Sequence, residues 1–201
     1  VYNYDLSLQV NTKMYGFYKP WKKLFGDKIE MIRHVFTPSV SMSYAPDFST
    51  SRYGYVGTYT YTDTDGEVRT QTYNPYEGLP YSFSPSGKSE NFTFSIDNNV
   101  EMKVKTANDS IKKVSLIDQL SASLTYNAAA ETRPWSDLSM NLRLKLTKSY
   151  TFSMNTSFAT YGYKFDENGN VVDNDRTEWS YGRFGRFKGY SGSFSYTLNN
   201  D

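Results

Sequence analysis

The sequence predicts an all-β protein, an antiparallel transmembrane β-barrel, with about seven strands of a larger barrel joined at one end by long extracellular hairpin loops. Three observations predict it. Apolar and polar residues alternate over runs longer than soluble strands need, long connections and tight turns fall at opposite ends of those runs, and aromatic residues gather near the run ends. Successive side chains of a strand point to opposite faces, so strict alternation gives one apolar side and one wet side. A strand tilted by roughly 45° needs about 9 to 11 residues to cross a bilayer, whereas globular strands cluster near 5 to 6.

Composition agrees once both faces are averaged. A hydrophobic content of 38% and a mean hydropathy of −0.66 look soluble, but a barrel carries its apolar residues only on alternate positions. The aromatic fraction is 17%, with 19 Tyr, a residue suited to strands and to membrane interfaces. Twenty-two basic residues against 21 acidic leave a net charge of +1, which gives no field for nucleic acid. The absence of cysteine removes disulfides, thiolate metal sites and cysteine nucleophiles. No run approaches the roughly 20 apolar residues of a membrane helix. Because the chain begins inside a run, further sequence is expected upstream, and residues 1–201 are expected to be part of one barrel domain.

The first run, Val1 to Tyr18, sets Tyr2, Tyr4, Leu6, Leu8, Val10 and Met14 against Asn3, Asp5, Ser7, Gln9, Asn11 and Lys13. Lys19 to Glu30 is a polar connection with Pro20, Trp21 and Gly26. The second run places Ile32, His34, Phe36, Pro38, Val40, Met42 and Tyr44 on one face and Arg33, Thr37, Ser39, Ser41 and Ser43 on the other. Pro38 offers no N–H to a ladder, so it predicts a bulge or a locally weak pairing. Between Ala45 and Glu90, the stretch Asp63-Thr64-Asp65-Gly66 flanked by Tyr-rich segments predicts a hairpin, and Asn74-Pro75 and 80–87 break regular pairing.

The third run sets Phe92, Phe94, Ile96, Val100, Met102 and Val104 against Thr93, Ser95, Asp97, Asn99, Glu101, Lys103 and Lys105, and 106–113 turns the chain. The fourth sets Val114, Leu116, Leu120, Ala122, Leu124 and Tyr126 against Ser115, Gln119, Ser121, Ser123 and Thr125, with Asp118 interrupting the apolar side. After a loop with Pro134, the fifth sets Leu138, Met140, Leu142, Leu144 and Leu146 against Ser139, Asn141, Arg143 and Lys145. Leucine is a weak strand former, but the period of 2 decides. Thr147-Lys148-Ser149 is a tight turn. The sixth run holds Tyr150, Phe152, Met154 and Phe158, and residues 164–177 form a hairpin centred on Asn168-Gly169-Asn170. The last run holds Tyr190, Gly192, Phe194, Tyr196 and Leu198. If neighbours are antiparallel, both long connections fall at one end and the turn at Lys148 at the other, the arrangement of outer-membrane barrels.

The side chains expected to face lipid are Leu6, Leu8, Val10, Val40, Ile96, Val100, Leu120, Leu124, Leu142, Leu144 and Met154. His34, the single histidine, shares the apolar face with Ile32 and Phe36, so a Ser–His hydrolase is disfavoured because nearby serines point the other way. Asp166, Asn168, Asn170, Asp173 and Asp175 have calcium-like spacing, but the glycine falls too early and no glutamate closes the loop, so a solvated turn is expected. Arg183, Arg186 and Lys188, interleaved with Phe184 and Phe187, are candidates for anionic lipid phosphates, against the plainer reading of surface charge on a strand extension. Arg143, Lys145, Glu101 and Lys103 are expected to line a wet lumen. The Asn-x-Ser/Thr sequences at Asn91, Asn108 and Asn155 lie in strands or turns and carry no meaning in a bacterial outer membrane.

Ile32-Arg33-His34-Val35-Phe36-Thr37-Pro38-Ser39-Val40-Ser41, followed by Tyr44-Ala45-Pro46-Asp47-Phe48, resembles the barrel of LptD-type lipopolysaccharide-assembly outer-membrane proteins, in their cysteine-poor branch. Asn98-Asn99-Val100-Glu101-Met102-Lys103-Val104, 113–120, Trp135-Ser136-Asp137 and Gly182-Arg183-Phe184-Gly185-Arg186-Phe187 fit the same pattern. The resemblance implies a non-enzymatic protein without cofactor, placed in the Gram-negative cell outer membrane, that inserts lipopolysaccharide into the outer leaflet. It implies lipopolysaccharide, outer-membrane lipids, an LptE-like lipoprotein plug and a periplasmic lipopolysaccharide bridge as partners. Such proteins receive lipopolysaccharide through an N-terminal jellyroll, not recognisable here, and release it between the first and last barrel strands; Pro38 resembles the strand-weakening prolines the family carries near that gate. Without cysteine, the disulfide-controlled maturation of the best-known members does not carry over. The alternatives are another outer-membrane barrel, such as a porin or nutrient transporter, and a soluble glycan-binding β-sandwich.

Overall fold

The computed structural model of the 201-residue chain describes residues 2–20, 28–80, 85–106, 110–147 and 149–197. Val1, Trp21, Gly26, Asn108, Lys148, Leu198 and residues 81–84, assigned above to runs, turns and loops, lie outside the described residues.

Each of the seven alternating runs contains strand. In chain order the strands are β1 (Leu6–Asn11), β2 (Met14–Tyr18), β3 (Ile29–Ala45), β4 (Gly57–Thr62), β5 (Val68–Tyr73), β6 (Ser89–Lys105), β7 (Ile111–Asn127), β8 (Leu138–Lys145), β9 (Tyr150–Ala159), β10 (Tyr161–Phe165), β11 (Val171–Thr177) and β12 (Arg186–Tyr196). The main sheet is antiparallel and runs β1/β2, β3, β6, β7, β8, β9, β12. β1 and β2 share one column, because both hold the same register on β3, from Leu6 opposite Tyr44 to Tyr18 opposite Ile32. The seven runs are therefore seven neighbouring columns. β3, β6 and β7 each have 17 residues, which at roughly 3.3 Å per residue is about 56 Å, long enough to cross a hydrocarbon core at a tilt and project beyond it.

The long connections fall at one end, as expected. β4 and β5 form one hairpin and β10 and β11 another, each separate from the main sheet. Their tips carry Gly66 at φ +83° and Gly169 at φ +79°, a backbone that an L side chain rarely adopts and glycine tolerates. The turn from β8 to β9 lies at the other end.

Several expectations need correction. The first column enters the ladder at Leu6, and Tyr2 and Tyr4 instead reach the long connection, where the Tyr2 N–H donates to Tyr55 Oη at 2.6 Å and Tyr4 packs edge-on to Phe48. Asp118 does not interrupt the apolar side. The β6–β7 register shifts twice between Asn98 and Glu101, and β7 absorbs two extra residues there. As a result Ile117, and not Leu116, stands opposite Val100, while Asp118 reaches Arg143 on the polar side. Such bulges re-aim side chains. The main sheet is also open, ending at β1/β2 and at β12, so these seven columns do not close a barrel among themselves.

No second layer covers the apolar face among the described residues. The buried side chains among the described residues (Pro46, Phe48, Tyr55, Ala159, Thr160, Tyr161 and Glu178) sit at the long-loop end. A β-sandwich would place its core between two sheets, so this arrangement disfavours the sandwich alternative.

Candidate functional site

Register assembles two unlike faces. On the apolar face, rows run Leu8–Met42–Phe92–Tyr126, Val10–Val40–Phe94–Leu124, Pro38–Ile96–Ala122–Met140 and Leu120–Leu142–Met154. Val100 stands opposite His34, and Leu144 opposite Phe152, which pairs on its other side with Phe194. These rows place all the residues expected to face lipid, Leu6 included, on one side of the sheet. The rims are aromatic. Phe94, Tyr126, Trp135 and Trp179 form a chain of rings at the long-loop end, with centroids 4.8 to 6.4 Å apart, and Tyr150 packs on Tyr196 at 4.9 Å toward the short-turn end.

His34 lies on this face without a serine partner. Its Nε2 is 2.9 Å from Asn98 Oδ1, and Asn98 Nδ2 donates to the Leu120 carbonyl at 3.2 Å. Asn98 was missed in the sequence, although its even number already placed it on the apolar side. Asn99 donates to the carbonyls of Ile117 and Asp118 and so satisfies the backbone that the bulge leaves unpaired.

The polar face is divided along its length. Three rows at the long-loop half carry no ionisable group, namely Ser7–Ser43–Asn91–Asn127, Gln9–Ser41–Thr93–Thr125 and Asn11–Ser39–Ser95–Ser123–Ser139–Ser157. Hydroxyls bond across columns, Ser39 to Ser95 at 2.6 Å and Thr93 to Thr125 at 2.9 Å. Charge begins in the next row, where Asp97 Oδ2 accepts from Gln119 at 2.8 Å. Below it Asp118 receives Arg143 at 2.6 Å and Lys145 at 3.5 Å, and Glu101 receives Arg33 at 2.6 Å and Lys113 at 3.6 Å. Sequence spacing alone did not show these pairings, because each joins residues of different columns.

Pro38 has a one-sided effect. The Thr12 N–H donates to the Pro38 carbonyl at 3.2 Å, so the backbone of residue 38 faces the first column, where its missing N–H would have donated back. β1 and β2 are separate strands on either side of that level, yet both keep one register on β3, and β3 keeps unbroken register with β6 from Met31 to Ala45, so Pro38 makes no bulge.

The cations of the long-loop end are largely engaged. Arg183 Nη1 lies 3.4 Å from buried Glu178, and Lys188 Nζ lies 2.7 Å from Asp137. Arg186 stacks 3.7 Å over the Tyr163 ring, with its Nε buried and unpartnered. Of the three, Arg186 alone has no carboxylate partner among the described residues. The calcium-like loop is a turn held by its own aspartate, since Asp166 Oδ1 accepts the N–H groups of Asn168 and Asn170 at 2.9 and 2.7 Å. The Asn170 hydrogen bonds hold the Asp166 carboxyl below its usual range. No group of acidic or histidine side chains that could hold a metal occurs among the described residues.

Comparison with known proteins gives one match: residues 1–161 fit a family model described as LptD protein. No curated protein matches the chain. No solved structure matches it either.

Proposed function

The chain belongs to the LptD protein family, of outer-membrane proteins for lipopolysaccharide transport and assembly, and from that premise we propose that it is a barrel segment that inserts lipopolysaccharide into the outer leaflet. Residues 1–201 then form part of one outer-membrane barrel domain, whose remaining strands cover the edges at β1/β2 and β12. Unpaired edges are not tolerated inside hydrocarbon.

The observation that carries this reading is the register-locked contrast between faces. Leu6, Leu8, Val10, Val40, Ile96, Val100, Leu120, Leu124, Leu142, Leu144 and Met154 lie together on a face with no covering layer among the described residues, and in this reading lipid supplies that layer. The opposite face lines the lumen. Its uncharged hydroxyl and amide rows give a saccharide many equivalent hydrogen bonds and no ionic trap, so movement along it does not require breaking one strong contact.

No bond is made or broken by the segment. Pro38 leaves the first column one ladder hydrogen bond short, which lowers the cost of parting that column from β3 and lets an amphiphile move sideways into the bilayer. At the opposite end Arg186, with Arg183 and Lys188 beside it, is placed to meet the phosphates of an emerging lipid. An LptE-like lipoprotein in the lumen and a periplasmic bridge delivering lipopolysaccharide complete the reading.

The test is pulse-labelling of lipopolysaccharide in cells depleted of this protein. Label accumulating at the inner face of the envelope is the expected outcome. Label reaching the surface at the undepleted rate would sink the proposal.

A further inference from the structure

At the short-turn end the polar face departs from its own pattern. Phe17 and Met31 occupy polar-side positions, with Phe17 directly opposite Arg33 and Met31 directly opposite Lys103. Together with Arg33, Glu101, Lys103 and Lys113 they line a cavity of about 230 Å³. Three cations surround one carboxylate. Glu101 takes Arg33 at 2.6 Å and Lys113 at 3.6 Å, which leaves Lys103 facing Lys113 across the β6–β7 ladder.

Folding does not explain this arrangement. Like charges directly opposite each other in an antiparallel pair destabilise it. The Arg33 Nε is buried and has no hydrogen-bond partner, although the same guanidinium already bonds Glu101 through Nη2. An unsatisfied buried donor is a further cost. A bound anion answers the first of these, by bridging the two lysines beside the partly exposed Arg33 guanidinium, whose planar charge suits phosphate oxygens.

The walls narrow the ligand further. Phe17 gives a flat apolar surface of the kind that stacks on the C–H face of a sugar ring, and Met31 is an adaptable apolar neighbour. The volume lies below the roughly 300 Å³ at which pockets for drug-sized ligands begin, so one phosphorylated monosaccharide unit fits and a lipid does not.

We infer that this cavity is a binding site for a phosphorylated sugar, placed on the lumen face below the uncharged rows. As the entry point for the phosphorylated saccharide of the cargo, it rests on the transport reading. The cations capture the anionic unit, and the hydroxyl rows above offer the next contacts.

The test is acylation of lysine amines in the intact protein in detergent micelles, quantified by mass spectrometry, with exposed Lys164 as reference. Glucose 1-phosphate is expected to slow modification of Lys103 and Lys113 at concentrations at least about tenfold below inorganic phosphate, and glucose to have no effect. Phe17→Ala should remove the advantage of the sugar phosphate over inorganic phosphate. Arg33→Lys should weaken protection by both anions about tenfold, since the guanidinium fork is lost while the charge stays. Absence of protection, equal protection by the two phosphates, or equal protection by glucose overturns the inference, and native protein suffices to obtain each result. Surface delivery of lipopolysaccharide is scored separately in cells. Protection without delivery sinks the transport reading alone, whereas delivery without protection sinks this site alone.

Discussion

Leu6, Leu8 and Val10 in the first column keep 62–63% of their surface exposed, whereas Phe48 and Tyr55 in the connection after β3 keep 2–3%. In the sheet, backbone pairing fixes position and the apolar side chains wait for a layer that the described protein does not provide. In the long connection the rings of Tyr4, Phe48, Tyr53, Tyr55 and Tyr76 supply that layer for one another, with centroids 4.8 to 6.0 Å apart. One region leaves its apolar side chains uncovered among the described residues, as the transport proposal requires of a face completed by lipid, and the other is a small water-excluding core of the ordinary kind.

The largest expected effect tests the loop core. Phe48→Ala should cost about 3 to 5 kcal/mol of local stability, because a fully buried ring leaves a cavity. Protease should then cut within 46–88 while the sheet keeps its far-UV circular dichroism. Loss of sheet structure together with the loop would break the separation of the two regions.

Next comes the apolar face. Leu142→Arg, in a row between the two aromatic rims, should cost about 2 to 4 kcal/mol in urea titrations of protein in lipid vesicles, the cost of a cation far from either interface. Asn141→Arg, one residue back and facing the opposite way, should cost far less. Equal costs would mean that the two faces do not see different solvents.

A smaller effect is expected at the seam. Pro38→Val restores a donor opposite Thr12 and should stabilise the pairing of the first column with β3 by roughly 0.5 to 1.5 kcal/mol, the net worth of one hydrogen bond. Hydrogen exchange at residues 11–14 should slow, with no change at the β6 residues paired to β3. Unchanged exchange at 11–14 would show that the break has another cause.

The smallest effect concerns the tip of the β10–β11 hairpin. The Asp166 carboxyl is held below its ordinary value of 3.8 by Asn170, so its support for the turn is fully present above that value and fades as pH falls through the lowered one. Amide protection at Asn168 and Asn170 should therefore hold from neutral pH down to about pH 4 and decline only below it. Decline already at pH 5 would remove Asp166 as the cause.

The division between what was legible and what was not follows the range of the interactions. Strand direction, the two faces and the hairpin tips at Asp65-Gly66 and Asn168-Gly169 depend on a period of two residues and on local backbone preference, and the sequence by itself determined them. Most of the apolar set could be named residue by residue for that reason. Where the sequence misled, at Asp118 and Leu116, the cause was a register shift against β6, and no reading of β7 alone contains it. The same holds for the charges. Lys188 meets Asp137 across 51 residues, and Arg33 meets Glu101 across 68, so only the paired sheet decides which cations are neutralised. The excess around Lys103 and Lys113 also appears only when the columns are set side by side, because electrostatic neighbours in a sheet are chosen by register and not by sequence distance.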